Sequence, residues 1–193
     1  MIAFGETPTM TMEAFLHWEP PERADHRWHL VEGEPVCMPP GSVDHGALLA
    51  QATMLIGNHL QAGQSECRAI VFPAIVPRIS ASLNLRVPDL GVTCAPPRGE
   101  HVVSNAVLLL EILSPSNEQV VRSNVWTYAT IPSVTEILLL HSTRIEAEIL
   151  RRDAAGAWPE APEVISGDGE LHLASIDFQV KLSDLYATTS MAR

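Results

Sequence analysis

Apolar residues in this chain follow two rhythms. Leu48, Ala52, Leu55, Ile56 and Leu60 recur at helical spacing. Ser42 stands where an N-cap belongs, Asp44 suits the positive end of the dipole, and Gly63 closes the segment. A second helix is predicted from Glu118 to about Thr130, opened by the turn Ser114-Pro115-Ser116-Asn117 and striped by Val121, Val125 and Tyr128. A short helix over 12–18 starts at Thr11 and stops before Pro20 and Pro21. Strand patterns fill much of the remainder. Residues 27–31 and 35–38 read as a hairpin around Glu32-Gly33, followed by runs at 69–76, 83–87, 90–94 and 106–113. Residues 135–140 and 145–151 form a second predicted hairpin, and a last short strand falls near 178–182.

The run Val107-Leu108-Leu109-Leu110-Glu111-Ile112-Leu113 is apolar on both faces, as a central strand requires. Strands outnumber helices, and helices flank the central strands, so the fold class is α/β (α+β): a single mixed central β-sheet flanked by helices. Residues 1–11 read as a tail, 12–186 as one domain, and 187–193 as a second tail. No apolar run approaches a membrane span, and the first residues lack the features of a signal peptide. Cys37, Cys67 and Cys94 are widely and irregularly spaced, which argues against a disulfide framework or a zinc cluster. Read as separate thiols, they place the chain in the cytoplasm. The net charge of −11, from 11 arginines and Lys181 against 23 acids, disfavours a broad grip on nucleic acid without excluding it.

Glu111 is the residue that breaks the pattern. A carboxylate inside a doubly buried strand costs several kcal/mol unless a metal, an arginine or a raised pKa compensates it. Asp89 follows Pro88 at the junction of two strand runs, where extended geometry would put Val87, Asp89 and Gly91 on one face. Two carboxylates on adjacent strands form an oxygen-ligand set for Mg²⁺ or Mn²⁺. The expectation is that Asp89 and Glu111 bring their carboxylates together at a cleft between the sheet and the first long helix.

Val87-Pro88-Asp89, then Leu110-Glu111-Ile112-Leu113-Ser114-Pro115-Ser116, then a helix tyrosine followed by Ile131-Pro132-Ser133 resemble the Uma-type putative restriction endonuclease family. That family is a branch of the PD-(D/E)XK superfamily. The likeness extends to Trp28–Val31 with Glu32-Gly33-Glu34, to His45, and to Leu182–Leu185 with Tyr186. It implies a restriction-endonuclease-like core, a divalent metal (Mg²⁺ or Mn²⁺) on Asp89 and Glu111, nucleic acid as substrate, and a homodimer.

The chain also departs from the family. Asn124 stands where the family places a lysine four residues before Tyr128, Val120 where an aspartate is common, and His29 where a glutamate is typical. Leu113 replaces the superfamily's lysine two residues after the strand Glu, and Lys181 lies far away. Such a lysine orients the attacking water and stabilises transition-state charge. Asn124 can orient a water without supplying charge, and His29 can ligate metal or shuttle a proton. The catalytic set is therefore Asp89, Glu111, Asn124 and His29. Two readings follow: a metal-dependent endonuclease with altered chemistry, or a non-catalytic nuclease-fold module for binding or dimerisation. A small phosphorylated substrate is a third. His45 is expected to cap the helix or line the cleft, and Trp126 to lie in the core or a dimer interface.

Overall fold

The structure is a computed structural model that describes residues 9–20 and 26–192. A short helix α1 (Met12–Leu16) is capped by the Thr11 side chain. The hairpin β1 (Trp28–Val31) and β2 (Glu34–Cys37) turns at Glu32 and Gly33, whose φ values of 48° and 81° are those a two-residue turn demands. Helix α2 (Val43–Ala62) begins at the Ser42 cap and ends at Gly63.

Six strands follow in one sheet: β3 (Arg68–Val71), β4 (Leu90–Thr93), β5 (Ala106–Leu113), β6 (Glu136–His141), β7 (Glu146–Arg151) and β8 (Glu163–Ser166), in that spatial order. Of these six, only neighbours β5 and β6 run parallel, and α3 (Glu118–Tyr128) is their crossover. The hairpin β9 (Glu170–Leu173) and β10 (Phe178–Lys181) and the one-turn α4 (Leu182–Leu185) complete the chain. The C-terminal residues fasten to α2: Ser190 donates through N and Oγ to Asp44 at 2.8 and 2.6 Å.

Strand β5 explains the arrangement. Leu108, Leu110 and Ile112 pack with Leu48, Ala52 and Ile56 of α2 on one face. Leu109 and Leu113 pack with Val121, Val125 and Tyr128 of α3 on the other. Burying both faces is what its continuous apolar sequence requires.

Three expectations change. The run 83–87 is not a sheet strand; it makes only the bridges Leu30↔Leu85 and Ile75↔Arg86, because Pro77 and Pro88 bound it and the residues between turn back. Strands β8 and β9 are not predicted, because their short, polar, glycine-flanked sequence carries little apolar pattern. The cysteines are not all separate: Cys67 and Cys94 form a disulfide with Cα atoms 3.8 Å apart. The Arg68↔Thr93 pair, extended one step, sets these two residues opposite each other. The cytoplasmic inference, drawn from unpaired thiols, therefore loses its ground. Among the described residues no helix is long and apolar enough to cross a membrane.

Candidate active site

Continuing the Leu90↔Leu110 register by one step places Asp89 against Glu111. Both are buried, at 0% and 1% exposure. Asp89 Oδ1 accepts from Arg27 Nη1 at 2.5 Å and lies 3.1 Å from His45 Nε2, while Oδ2 accepts from the Ile112 amide at 2.7 Å. Glu111 Oε1 accepts from the Tyr128 hydroxyl at 2.6 Å. Leu109 and Leu113 of β5 face α3 and Glu111 stands between them, so it lies under Tyr128 rather than toward α2, a correction to the expected cleft. Asp89 alone of the pair opens to a cavity of about 530 Å³ beside the N-terminus of α2. A side chain at Gly91 would strike Pro73 and Leu109.

The two acids are driven apart electrostatically. Burial pushes Asp89 up, but the His45 contact, the Arg27 charge and the Ile112 amide together outweigh it and hold the carboxyl below its ordinary range. Burial and then the adjacent Asp89 charge push Glu111 well up, against the smaller pull of Arg27 and Tyr128. Near neutral pH the pair carries one proton, on Glu111.

Asn124 and His29 are both at this centre but not as free catalytic groups. Asn124, one helical turn before Tyr128, accepts from Arg86 Nε at 3.0 Å, and its own Nδ2 is buried without a partner among the described residues. His29, 1% exposed, bonds Val87 O through Nε2 at 3.2 Å, and its Nδ1 is likewise without a described partner. Burial, then the Arg27 and Arg86 charges, pull His29 down to about 3, so it is neutral. His45, reaching Asp89 from the first turn of α2, also has a buried Nδ1 that meets no described partner.

Sequence reasoning missed two arginines. Arg27 falls at the start of a predicted strand, yet it makes the ion pair with Asp89. Arg86 falls within another, yet it is buried, and its head group meets the neutral acceptors Asn124, Asn84 and the Leu30 and Leu85 carbonyls. Burial lowers the Arg86 pKa, against the smaller opposing pull of Tyr128 and Glu32. The signal lay in Asn124: an amide in the lysine position calls for a cation from elsewhere. Trp126 is neither core nor shielded, at 58% exposure. Lys181 sits on β10, away from the site.

Residues 12–183 match the Uma2 family, described as "Putative restriction endonuclease". The chain belongs to the Uma2 family. It is similar to the uncharacterized protein slr1290 of Synechocystis sp., 29% identical over 154 residues, which covers 78% of each chain. Its fold is shared with a crystal structure described as a "putative nuclease belonging to DUF820" from Anabaena variabilis. That likeness has a TM-score of 0.72 at 18% identity and covers 92% of this chain and 98% of that one. The fold class and the family resemblance read from the sequence are thereby established for this Uma2 member.

A second polar cluster is separate from the acid pair. His141, Glu146 and Glu148 gather ligand atoms within 4.8 Å of one another. Arg122 forks onto Glu148 at 3.0 and 2.8 Å, and Arg144 meets Glu146 at 2.7 Å. Guanidinium groups already match both carboxylates, and the cluster serves to fasten α3 to β7.

Proposed function

We propose that this Uma2 protein is a metal-dependent phosphodiesterase of the PD-(D/E)XK kind, an endonuclease acting on nucleic acid. One observation carries the reading: a buried Asp89–Glu111 pair, set side by side where the β4–β5 register continues, with Asp89 lining an open cavity. The hard oxygen donors fit Mg²⁺ or Mn²⁺, and His29, His45 and Asn124 each carry a buried polar atom without a described partner. A bound cation would polarise the phosphate and lower the pKa of a bound water. The side chains do the rest. Asp89 is already ionised, and Glu111 must release its proton before it can ligate, a loss the cation itself favours. Arg27 must leave Asp89 Oδ1 and is then free to meet a phosphate oxygen. Arg86, fixed by Asn124, supplies the positive charge that the family draws from lysine. His29 stays neutral and orients the Val87 backbone next to Asp89. We also infer a homodimer formed through the exposed Val120–Trp126 face of α3.

The test is Mn²⁺-dependent cleavage of plasmid and single-stranded DNA by wild type and Glu111→Gln, with Mn²⁺ binding followed by calorimetry. Cleavage and binding that both vanish in Glu111→Gln support the reading. One observation favours the alternative of a non-catalytic module: Arg27 and Tyr128 already satisfy the acid pair without a metal. A wild type that binds no Mn²⁺ and cleaves nothing would establish that alternative.

A further inference from the structure

The cavity above Asp89 has features that a phosphodiester alone does not require. Its wall is apolar, built from Met38, Pro39, Pro40, Leu49 and Phe72. Its rim carries the hydroxyls of Ser114 and Ser116, 3.0 Å apart, and the first turn of α2. A volume of about 530 Å³ lies within the range of small-ligand pockets and is far too small for a duplex.

Phe72 is the unusual member of that wall. It is 48% exposed, with the Arg27 guanidinium 5.0 Å from its ring centroid. Its backbone has φ +52°, a costly conformation for a bulky residue, and its amide bonds the carbonyl of Asp89 at 3.0 Å. The chain therefore holds an exposed aromatic ring in a strained position, tied directly to the residue that bears the candidate metal ligand. Nothing in the hydrophobic core uses that ring: neither apolar cluster includes it.

Six of the described arginines are also committed elsewhere. Arg122, Arg144 and Arg151 pair with glutamates, Arg68 and Arg152 bond backbone carbonyls, and Arg86 is buried. With a net charge of −11 the surface is poorly suited to contacting the many phosphates that duplex binding draws on. A stacking platform that takes one unpaired base beside one phosphate needs far fewer cations.

The geometry points to single-stranded nucleic acid as the substrate: an unpaired base stacks on Phe72 against the Met38–Pro40 wall, and its phosphate reaches the divalent cation that Asp89 would hold where it lines the cavity. This inference rests on the phosphodiesterase reading for the role of that phosphate. Its readout is binding, so the two can fail separately.

The experiment measures fluorescence anisotropy of a labelled 12-mer containing 2-aminopurine, as a single strand and as the matching duplex. Full-length protein is used with Mn²⁺ on ice, and strand integrity is checked on a gel. Three proteins are compared: wild type, Phe72→Asn, which removes the ring yet tolerates a left-handed backbone, and Phe72→Trp. The single strand should bind at least ten-fold tighter than the duplex, with a change in 2-aminopurine emission. Phe72→Asn should weaken single-strand binding on the order of 10–100-fold, and Phe72→Trp should restore it. Circular dichroism matching wild type excludes misfolding as the cause. Equal or tighter duplex binding, or an unshifted Phe72→Asn, would overturn the inference. Equimolar competition by AMP would also overturn it, in favour of free nucleotides. Phe72-dependent strand binding by a protein that, once warmed with Mn²⁺, cleaves neither strand nor plasmid would leave the single-strand site standing as a binding site and sink the phosphodiesterase reading.

Discussion

Asp89 and Glu111 face each other across β4 and β5 with opposite protonation, and of the two Arg27 bonds only Asp89. The asymmetry has measurable consequences, because the two states of Glu111 differ in charge at a buried point of the site.

The first consequence concerns pH. Folded Glu111 holds its proton up to about 8, against an ordinary 4.5, so the native state binds the extra proton in that window and stability falls as pH rises. His29 acts in the opposite sense: held neutral down to about 3 against an ordinary 6.5, it makes stability rise with pH over that range. The two slopes cancel between 4.5 and 6.5, and only the fall remains above it. Metal-free protein should lose about 2 kcal/mol between the ordinary His value and the raised Glu111 value. Thermal unfolding in EDTA checks this, and Glu111→Gln should abolish the decline. A wild type equally stable at pH 6.5 and pH 8 would contradict a proton on Glu111.

Arg27 competes with any cation for Asp89 Oδ1. Arg27→Met should therefore raise Mn²⁺ affinity by about ten-fold, the equivalent of roughly 1.4 kcal/mol. It should also destabilise the metal-free protein by about 3 kcal/mol, since it leaves a buried carboxylate unpaired. Calorimetric titration and thermal melts of the same preparation report both. Weaker Mn²⁺ binding in the variant would mean that Arg27 supports the cation instead of opposing it.

Restoring the family's lysine should not restore activity by itself. In Asn124→Lys an ammonium would replace the acceptor of Arg86 Nε and stand beside that buried guanidinium. The expected cost is about 3 kcal/mol in stability, with cleavage no better than wild type. Arg86→Met combined with Asn124→Lys should recover most of the loss, because one buried cation then replaces another. Equal melting temperatures for the single and double variants would show that the introduced ammonium and Arg86 do not interact.

The exposed α3 face predicts a dimer of the 21.0 kDa chain. Light scattering should give twice that mass, and Trp126→Glu should give the monomer. A monomer mass for wild type across a wide concentration range would end the dimer assignment.

The sequence disclosed the parts of this site that interrupt a pattern. Glu111 was legible because it breaks an apolar run that packs on both faces, and α2 was legible because its cap, stripe and closing glycine agree. Arg27 and Arg86 were not. An arginine in a mixed run reads as a solvated position, and only the fold shows that the 83–87 segment pairs beside β1 at Leu30↔Leu85 and carries Arg86 inward. The facing of Glu111 depended on whether odd or even residues of β5 meet α3, a parity set by the crossover and not by local spacing. The Cys67–Cys94 pairing depended on the β3–β4 register, which spans an irregular stretch of chain.

That pairing encloses a covalent ring whose closing residues lie 27 apart in the chain. Phe72, Arg86 and Asp89 all lie inside it, while Glu111, Asn124 and Tyr128 lie outside. In the oxidised chain this part of the site is thus tethered at both ends, and the rest has to be brought to it. Loop closure of this size removes about 3–4 kcal/mol of freedom from the unfolded chain. With the bond reduced, β3 and β4 still hold the two thiols side by side, so a thiol oxidant can reseal the ring without any rearrangement of the sheet. Reduction would then loosen the unfolded ensemble while leaving the native geometry around Asp89 in place.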